Sequence, residues 1–476
     1  MDVLLSVVQT INTYLSNYVL IILLLGMGII FTIRTRGVQF RCFGYGMRYV
    51  FGNFSLHGGK QKSGITSFQA LATAVAAQVG TGNIVGACGA ILIGGPGAIF
   101  WMWLIALFGM ATNYAEAVMA QKTRVVDADG TVHGGPAYYI TSVFKGKGGK
   151  FLAGFFAIAI TLALGFMGSM VQSNSIASTM NTAFNIPTWL VGGLIVLVAG
   201  AIVIGGLQRI ASVTEKIVPV MAVIYIVGGI TILAMNAQNI IPAFQLIFEC
   251  AFHPEASMGG ITFGIIAALS QGAKRGLFSN EAGMGSTPHA HALANVKDPH
   301  DQGCVAMIGV FIDTMVVVTM TALVVISSLY VGDGMLGTAF SGAAAGSDPS
   351  VVAASIGLDK TNLAQAAFGE FFGKSIGNAF VAICLLFFAF STILSWNLFS
   401  RLNMEYLFGK KAVMPFFIIS LVFIFLGSIL SNDLVWELAD LFNQLMVLPN
   451  AIGLLALSGT VAAVARSHSG KEKIDE

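Results

Sequence analysis

The chain has 476 residues, of which 56% are hydrophobic and only 10% charged, with a net charge of +2. Soluble globular proteins carry about 25% charged residues, so this composition excludes a string of soluble domains and fits a chain whose apolar surface faces lipid. The small net charge gives no reason for a nucleic-acid partner, and the five cysteines, scattered and without C-x-x-C spacing, support neither a disulfide framework nor a zinc site.

A membrane-crossing helix needs about 20 mostly apolar residues. Eleven segments qualify, predicting an all-α polytopic membrane protein: roughly 18–33, 66–91, 98–121, 151–182, 188–206, 217–235, 260–280, 303–331, 375–398, 412–430 and 435–464. The chain opens Met1-Asp2 without a basic segment, so no cleaved signal peptide is expected. With the amino terminus outside and the spans alternating, only Lys360 and Lys374 of the 24 Lys and Arg residues fall outside. Basic residues concentrate in cytoplasmic loops, so the carboxyl terminus is expected inside. A wrong span count would scramble that asymmetry.

The first span is followed by 34–65, which carries six basic and no acidic residues. It reads as a cytoplasmic segment, either a solvated loop or a strip along the anionic inner leaflet. The second span holds "AAQVGTGNIVG", Ala76 to Gly86, with three glycines, Gln78, Thr81 and Asn83 at membrane depth. Broken helix is tolerated in hydrocarbon only where protein or water satisfies the backbone. A break at Gly80-Thr81-Gly82 would present helix N-terminal amides to a carboxylate and C-terminal carbonyls to a cation. Gly82-x-x-x-Gly86 also fits close helix packing.

The fourth span places Phe166 and Gln172 in an apolar run. Gln172 is the stronger ligand candidate, although a buried Gln also serves as interhelical glue. The seventh span, "ITFGIIAALSQGAKRGLFSNEAG", is interrupted at Ser270-Gln271-Gly272 and again at Gly276. Setting the first span aside, the two interrupted spans open two halves of five spans each, inverted relative to one another. Such pairing points to the midplane binding site of a secondary transporter, with Gln271 and Gly276 facing it. Residues 1–65 then form an extra helix and basic segment, 66–235 the first half, 236–464 the second with a long external loop at 332–374, and 465–476 a cytoplasmic tail.

In the ninth span Ser391 and Thr392 offer hydroxyl oxygens to a hard cation, or bond their own helix's i−4 carbonyls. Glu116 and Asp313 are the clearest intramembrane carboxylates, Glu116 suiting a structural pair or a cytoplasmic cavity and Asp313 ion coupling. Lys274, Arg275 and Glu281 read as an inner gate or as interfacial charge balance. His289 and His291 read as loop residues.

Several stretches resemble the alanine or glycine:cation symporter family: "FQALATAVAAQVGTGNIVGA", "GGPGAIFWMWLIALFG", "KRGLFSNEAGMGSTPHAHA" and "LSWN". The resemblance implies a LeuT-type fold with a 5+5 inverted repeat and one extra N-terminal helix, in a bacterial or archaeal inner membrane. It implies sodium, or protons, carried with alanine or glycine, and no obligate protein partner. By that likeness the Thr81 and Gly82 amides hold the substrate carboxylate, while Phe166, Gln172 and Trp396, with Asn397, line the pocket. The carbonyls of Ala76 and Val79 with Ser391 and Thr392 form one sodium site. The Gln78 carbonyl and the Asn83 side chain belong to a second, nearer the substrate. No nucleophile–base array, phosphate loop or metal cluster argues for an enzyme.

Overall fold

The computed structural model describes residues 2–52, 64–253, 256–258, 261–430 and 432–468. Lys60 and Lys62 of the basic segment, and Lys471 and Lys473 of the tail, lie outside the described residues. The chain is predominantly helical. Among the described residues, eight helices are long and apolar enough to cross a membrane: α1 (Leu5–Arg34), α4 (Ala98–Thr123), α5 (Gly146–Phe184), α7 (Gly206–Met235), α10 (Pro299–Tyr330), α11 (Lys374–Phe408), α12 (Lys410–Ile429) and α13 (Asp433–Ala456). A bent pair, α2 (Ser67–Gln78) and α3 (Gly82–Gly94), makes a ninth candidate with a 46° kink. α6 (Thr188–Val203) is apolar but shorter. α8 (Ile265–Asn280) is followed, after a reversal, by the short α9 (Pro288–Leu293).

Local chemistry sets the ends of the two broken segments. α2 starts on a capping box: Thr66 Oγ1 accepts from the Gln69 amide and Gln69 Oε1 accepts from the Thr66 amide, both at 3.1 Å, satisfying two amide donors at the helix start. It ends where Val79 leaves helical geometry at ψ 84°. Gly80 then passes so close to α11 that a Cβ there would lie 2.4 Å from Thr392 Oγ1. α8 ends with Glu281 left-handed at φ 57°, rare for a residue with a side chain. Gly283 and Gly285 follow at φ 89° and 81°, where only glycine is unstrained.

The seventh span therefore departs from its sequence reading. α8 runs unbroken through Ser270–Gly276, and the break lies at residues 281–287. The polar residues that mimic a break are facing protein. Gly272 lets α8 sit against α4, where a Cβ would come 2.6 Å from Trp101 Cβ, and Ser270 Oγ donates to Asn17 Oδ1 of α1 at 2.5 Å.

α8 and α10 pack along α4, α5 along α11 and α12, and α2 between α7 and α11. α3 contacts both α8 and α10, so both breaks sit in the protein core. α1 lies against α4, close enough that a Cβ at Gly28 would meet Phe108 Cβ at 2.5 Å. α5 and α10 carry π-helical turns at Thr161–Gly168, Phe311–Val318 and Ile326–Tyr330. The loop at 332–374 contains three short helices, Met335–Ser341, Pro349–Ser355 and Leu363–Phe372. Two antiparallel hairpins, Val125–Val126 with Val132–His133 and Ala256–Met258 with Ile261–Phe263, are the strands among the described residues.

Candidate functional site

The first break is held by a polar side chain from across the bundle. The Thr81 amide donates to Gln172 Oε1 at 3.0 Å, and the Gly80 amide donates to Asn83 Oδ1 at 2.9 Å. Gln172 thus reaches the broken helix, as its sequence position predicts, but it occupies the Thr81 amide expected to receive a carboxylate. A Cβ on Gly80 would also press on Gln172 Oε1 at 3.1 Å. Thr81 Oγ1 and Gln78 Oε1 are buried with no partner among the described residues. Buried polar groups are nearly always hydrogen-bonded, so these two atoms beside one break are open to a water or a polar ligand.

Asp313, in the π-helical turn of α10, joins the two breaks. Its Oδ1 accepts from Asn83 Nδ2 at 2.5 Å, and its Oδ2 accepts from Ser279 Oγ and Thr314 Oγ1, both at 2.8 Å. Asn83 follows the first break and Ser279 lies in the last turn of α8. Gln78 makes a second tie, its Nε2 donating to the Asn280 carbonyl at 2.7 Å, and Asn280 Nδ2 donates to Thr314 Oγ1 at 3.1 Å. Asp313, Asn83, Ser279, Asn280 and Thr314 are all 0% exposed. A buried carboxylate flanked by two hydroxyl oxygens offers hard donors, suited to a hard cation. Ser279, Asn280 and Thr314 were not singled out in the sequence, because no local pattern tells a polar residue facing a break from one facing a neighbouring helix.

The second break is organised around two more carboxylates. Glu116 of α4 accepts from the Gly283 and Gly285 amides at 3.1 and 2.9 Å and from Asn450 Nδ2 at 2.7 Å, so it caps the unwound segment and has no cationic side chain paired with it among the described residues. The Glu281 carboxylate accepts from Trp396 Nε1 and Ser286 Oγ. Trp396 also meets Phe278 edge-on at 5.8 Å. Its place against the second break bears on the predicted pocket, as does its 1% exposure.

The cation site predicted between α2 and α11 comes together in part. Thr392 Oγ1 donates to the Ala76 carbonyl at 2.7 Å and to the Phe388 carbonyl at 3.1 Å. Ser391 turns away, donating to the Phe388 carbonyl at 2.9 Å and lying 3.6 Å from Met221 Sδ of α7. Val79 is the residue at which α2 ends, 1% exposed.

Other expected residues lie elsewhere. Phe166 packs at a tilt against Phe423 at 4.8 Å and Phe416 at 5.7 Å, which directs it to α12. Asn397 bonds Ile393, Ser169 and Ser420, tying α11 to α5 and α12. Gln271 packs over Gly94 at the far end of α3, ten residues before Glu281 and so about 15 Å up the helix at 1.5 Å per residue. Gly276 sits over Met102 within α8. Gly82 abuts the α8 end, a Cβ there meeting Ser279 Cα at 3.0 Å. His289 and His291 are 2% and 1% exposed on α9, not loop residues.

Lys274, Arg275 and Glu281 do not form one cluster. Arg275 makes a two-pronged contact with Asp440 of α13 at 3.1 and 2.8 Å, and Lys274 reaches the same carboxylate at 3.3 Å. The Arg275 guanidinium covers Trp436 at 4.7 Å, and Lys360 covers it at 5.3 Å while pairing with Asp433. Because α8 continues to its break beyond these residues, the clasp lies on the face that carries the 332–374 loop, opposite to the inner gate read from the sequence.

The chain is similar along its whole length to known transporters. It is 41% identical over 467 residues to "Sodium/alanine symporter AgcS" of Methanococcus maripaludis, covering 98% of this chain and 97% of that one. It is 36% identical over 474 residues to "Probable sodium/glutamine symporter GlnT" of Bacillus subtilis, covering 99% and 92%. In structure it resembles MhsT, solved with L-phenylalanine, at a TM-score of 0.56 and 13% identity over 86% of this chain and 99% of that one; this likeness speaks to the fold, of LeuT type. The family model described as "Sodium:alanine symporter family" matches residues 1–476. With that match over its whole length, the chain belongs to the sodium:alanine symporter family, multi-pass membrane transporters of amino acids with cations.

Proposed function

We propose that this protein is a sodium-coupled symporter that imports a small neutral amino acid, alanine or glycine, by alternating access across a cell's inner membrane. α6 and the α8–α9 pair complete eleven crossings, amino terminus outside and carboxyl terminus in the cytoplasm. α2 to α7 form one repeat and α8 to α13 its inverted partner, with α1 outside both. The observation that carries the reading is the Asp313 cluster, one carboxylate hydrogen-bonded to residues of both broken segments. A cation there, held by Asp313, Asn83 and Ser279, fixes the two breaks relative to each other, and the amino acid then meets an ordered site. That is positive coupling between ligands.

The substrate carboxylate takes the Thr81 and Gly82 amides in this reading, and Gln172 rotates to present its NH2 group in place of its oxygen. Gln172→Ala is therefore expected to weaken alanine binding about ten- to a hundredfold, the cost of one hydrogen bond to a charged group at about 1.5–3 kcal/mol. Binding to well-folded mutant protein at saturating sodium measures it, and an unchanged affinity removes Gln172 from the site. The side-chain end of the substrate lies among Gly80, Gly82, Phe278 and Trp396, where backbone and rings approach too closely for a large residue.

A second cation lies between α2 and α11. Only Thr392 of the hydroxyl pair points at the Ala76 carbonyl, so the two single mutants should separate. Thr392→Ala is expected to raise the sodium concentration for half-maximal uptake several-fold, while Ser391→Ala stays near the parent. Equal effects in a sodium titration refute this orientation. The experiment that tests the whole reading is radiolabelled alanine uptake into liposomes with sodium and proton gradients imposed independently. Uptake driven by the proton gradient alone would make Asp313 a proton carrier.

A further inference from the structure

Away from both breaks, two elements on the face opposite the 332–374 loop converge on a buried set of donors. Cys42 ends the short helix Val38–Arg41 after α1, and His300 and Cys304 stand in the first turns of α10. Their ligand atoms all lie within 4.8 Å of one another, and the residues are 0%, 2% and 0% exposed. We propose that Cys42, His300 and Cys304 bind a zinc ion that staples the segment after α1 to the start of α10.

Four observations carry this. First, His300 and Cys304 are four apart on one helix, the spacing that puts two side chains on one face. Second, Cys304 Sγ lies 3.5 Å from His300 Nε2. Zinc bonds of about 2.3 Å to sulfur and 2.0–2.1 Å to nitrogen, at a tetrahedral angle, place those two atoms about 3.6 Å apart. Third, the other ring nitrogen is already engaged, with His300 Nδ1 2.7 Å from the Tyr114 hydroxyl. That contact fixes the ring so that Nε2 faces the thiols, the outer support that metal-binding histidines have. Fourth, a glycine brings the segment in: a Cβ at Gly46 would lie 2.9 Å from the Cys304 carbonyl.

Charge favours zinc over other thiophilic ions. Two thiolates and a neutral imidazole neutralise Zn²⁺, whereas Cu⁺ would leave a net negative charge in a buried site. Binding forms two zinc–sulfur bonds and one zinc–nitrogen bond and releases both thiol protons to solvent, with no change of oxidation state. Three protein donors leave a fourth position for water, as in open zinc sites. The carboxyl-terminal segment closes over the cluster. The His468 ring stacks on His300 at 4.4 Å while its Nε2 pairs with Asp298 at 2.8 Å, and Arg41 donates to the Ala465 carbonyl at 3.1 Å.

The test uses the full-length chain, purified under reducing conditions in detergent. Zinc titration against a chromophoric chelator should give one bound zinc per chain, and cobalt in its place should show a near-ultraviolet thiolate-to-cobalt charge-transfer band. Cys42→Ser and Cys304→Ser should abolish both signals, whereas Cys88→Ser, whose cysteine lies in α3, should keep both. Tyr114→Phe should weaken zinc binding about ten- to a hundredfold, the usual cost of losing a ligand's support. A parent that binds no zinc, or binds cobalt without the thiolate band, overturns the proposal whether or not the variants fold. So does a Cys42–Cys304 disulfide found by thiol counting in freshly extracted protein, or full zinc binding by Cys304→Ser. Alanine uptake is read in parallel, and its loss in every variant, Cys88→Ser included, leaves the zinc result standing.

Discussion

Asp313→Asn is expected to raise the sodium concentration for half-maximal uptake by about ten- to a hundredfold while the protein stays folded. The substitution keeps the shape of the side chain and one carbonyl oxygen, which can still accept from Ser279 and Thr314, while the new NH2 group faces the Asn83 amide. It removes the negative charge. A cation stripped of water in a low-dielectric site depends on such a charge, and a hydrogen-bond-scale loss of about 1.5–3 kcal/mol already gives that shift. Asp313→Ala should be worse, because it strands three buried donors at about 1–3 kcal/mol each, and loss of folded protein is expected there. Linkage supplies a second readout: since sodium and substrate favour the same arrangement of the breaks, alanine affinity in Asp313→Asn should fall at limiting sodium and recover when sodium saturates. Gln172→Ala, whose defect concerns the substrate itself, should not recover. Sodium titrations of alanine uptake and binding compare the two, and a parental sodium curve for Asp313→Asn would take the cation away from this carboxylate.

The first break was legible because its chemistry is written locally: three glycines and three hydrogen-bonding side chains within Gln78–Gly86 have no place in a lipid-facing helix. Gln172 stands out as a long amide in the fourth span, and its contact with the Thr81 amide is the geometry that reading asks for; Trp396 comes only from the family resemblance. The second break was not. Hydropathy sees Ser270–Gly276 as an interruption, yet those residues satisfy α4, α1 and α13 from an intact helix. The break itself is spelled by Glu281-Ala282-Gly283-Met284-Gly285, where alternate glycines take left-handed geometry. The sequence reading ended the span just before them. That one misplacement also moved Lys274 and Arg275 to the wrong face. Phe166 failed differently: an aromatic in an apolar helix carries no sign of which neighbour it faces, and here α12 supplies two more phenylalanines to pack against. The cysteine cluster is invisible to spacing rules because Cys42 and Cys304 are brought together only by the fold.

Asp440→Asn is expected to hold the transporter open on the face that carries the 332–374 loop. Arg275 and Asp440 are 9% and 4% exposed as side chains, and Lys274 is 10% exposed. Taking away the carboxylate leaves two cations largely out of water without a counter-charge. Breaking a buried pair from one side costs about 3–5 kcal/mol, which changes a closed-to-open ratio by roughly a hundred- to several-thousandfold. The strain is relieved by separating α8 from α13, since that returns both cations to water. Trp436, one turn before Asp440, loses its Arg275 cover in the same movement. Alternating access needs this face to close while the other opens, so uptake should fall steeply while equilibrium alanine binding is kept. Hydrogen exchange of 277–287 should rise in the mutant, and heat unfolding of the detergent-purified protein should report that the rest of the fold persists. The paired variant Arg275→Gln with Asp440→Asn leaves one stranded cation in place of two and should recover part of the uptake, a coupling that two independent lesions would not produce. Parental uptake together with parental exchange in Asp440→Asn would make the clasp a static brace, and the gate would have to be sought among other contacts of α8.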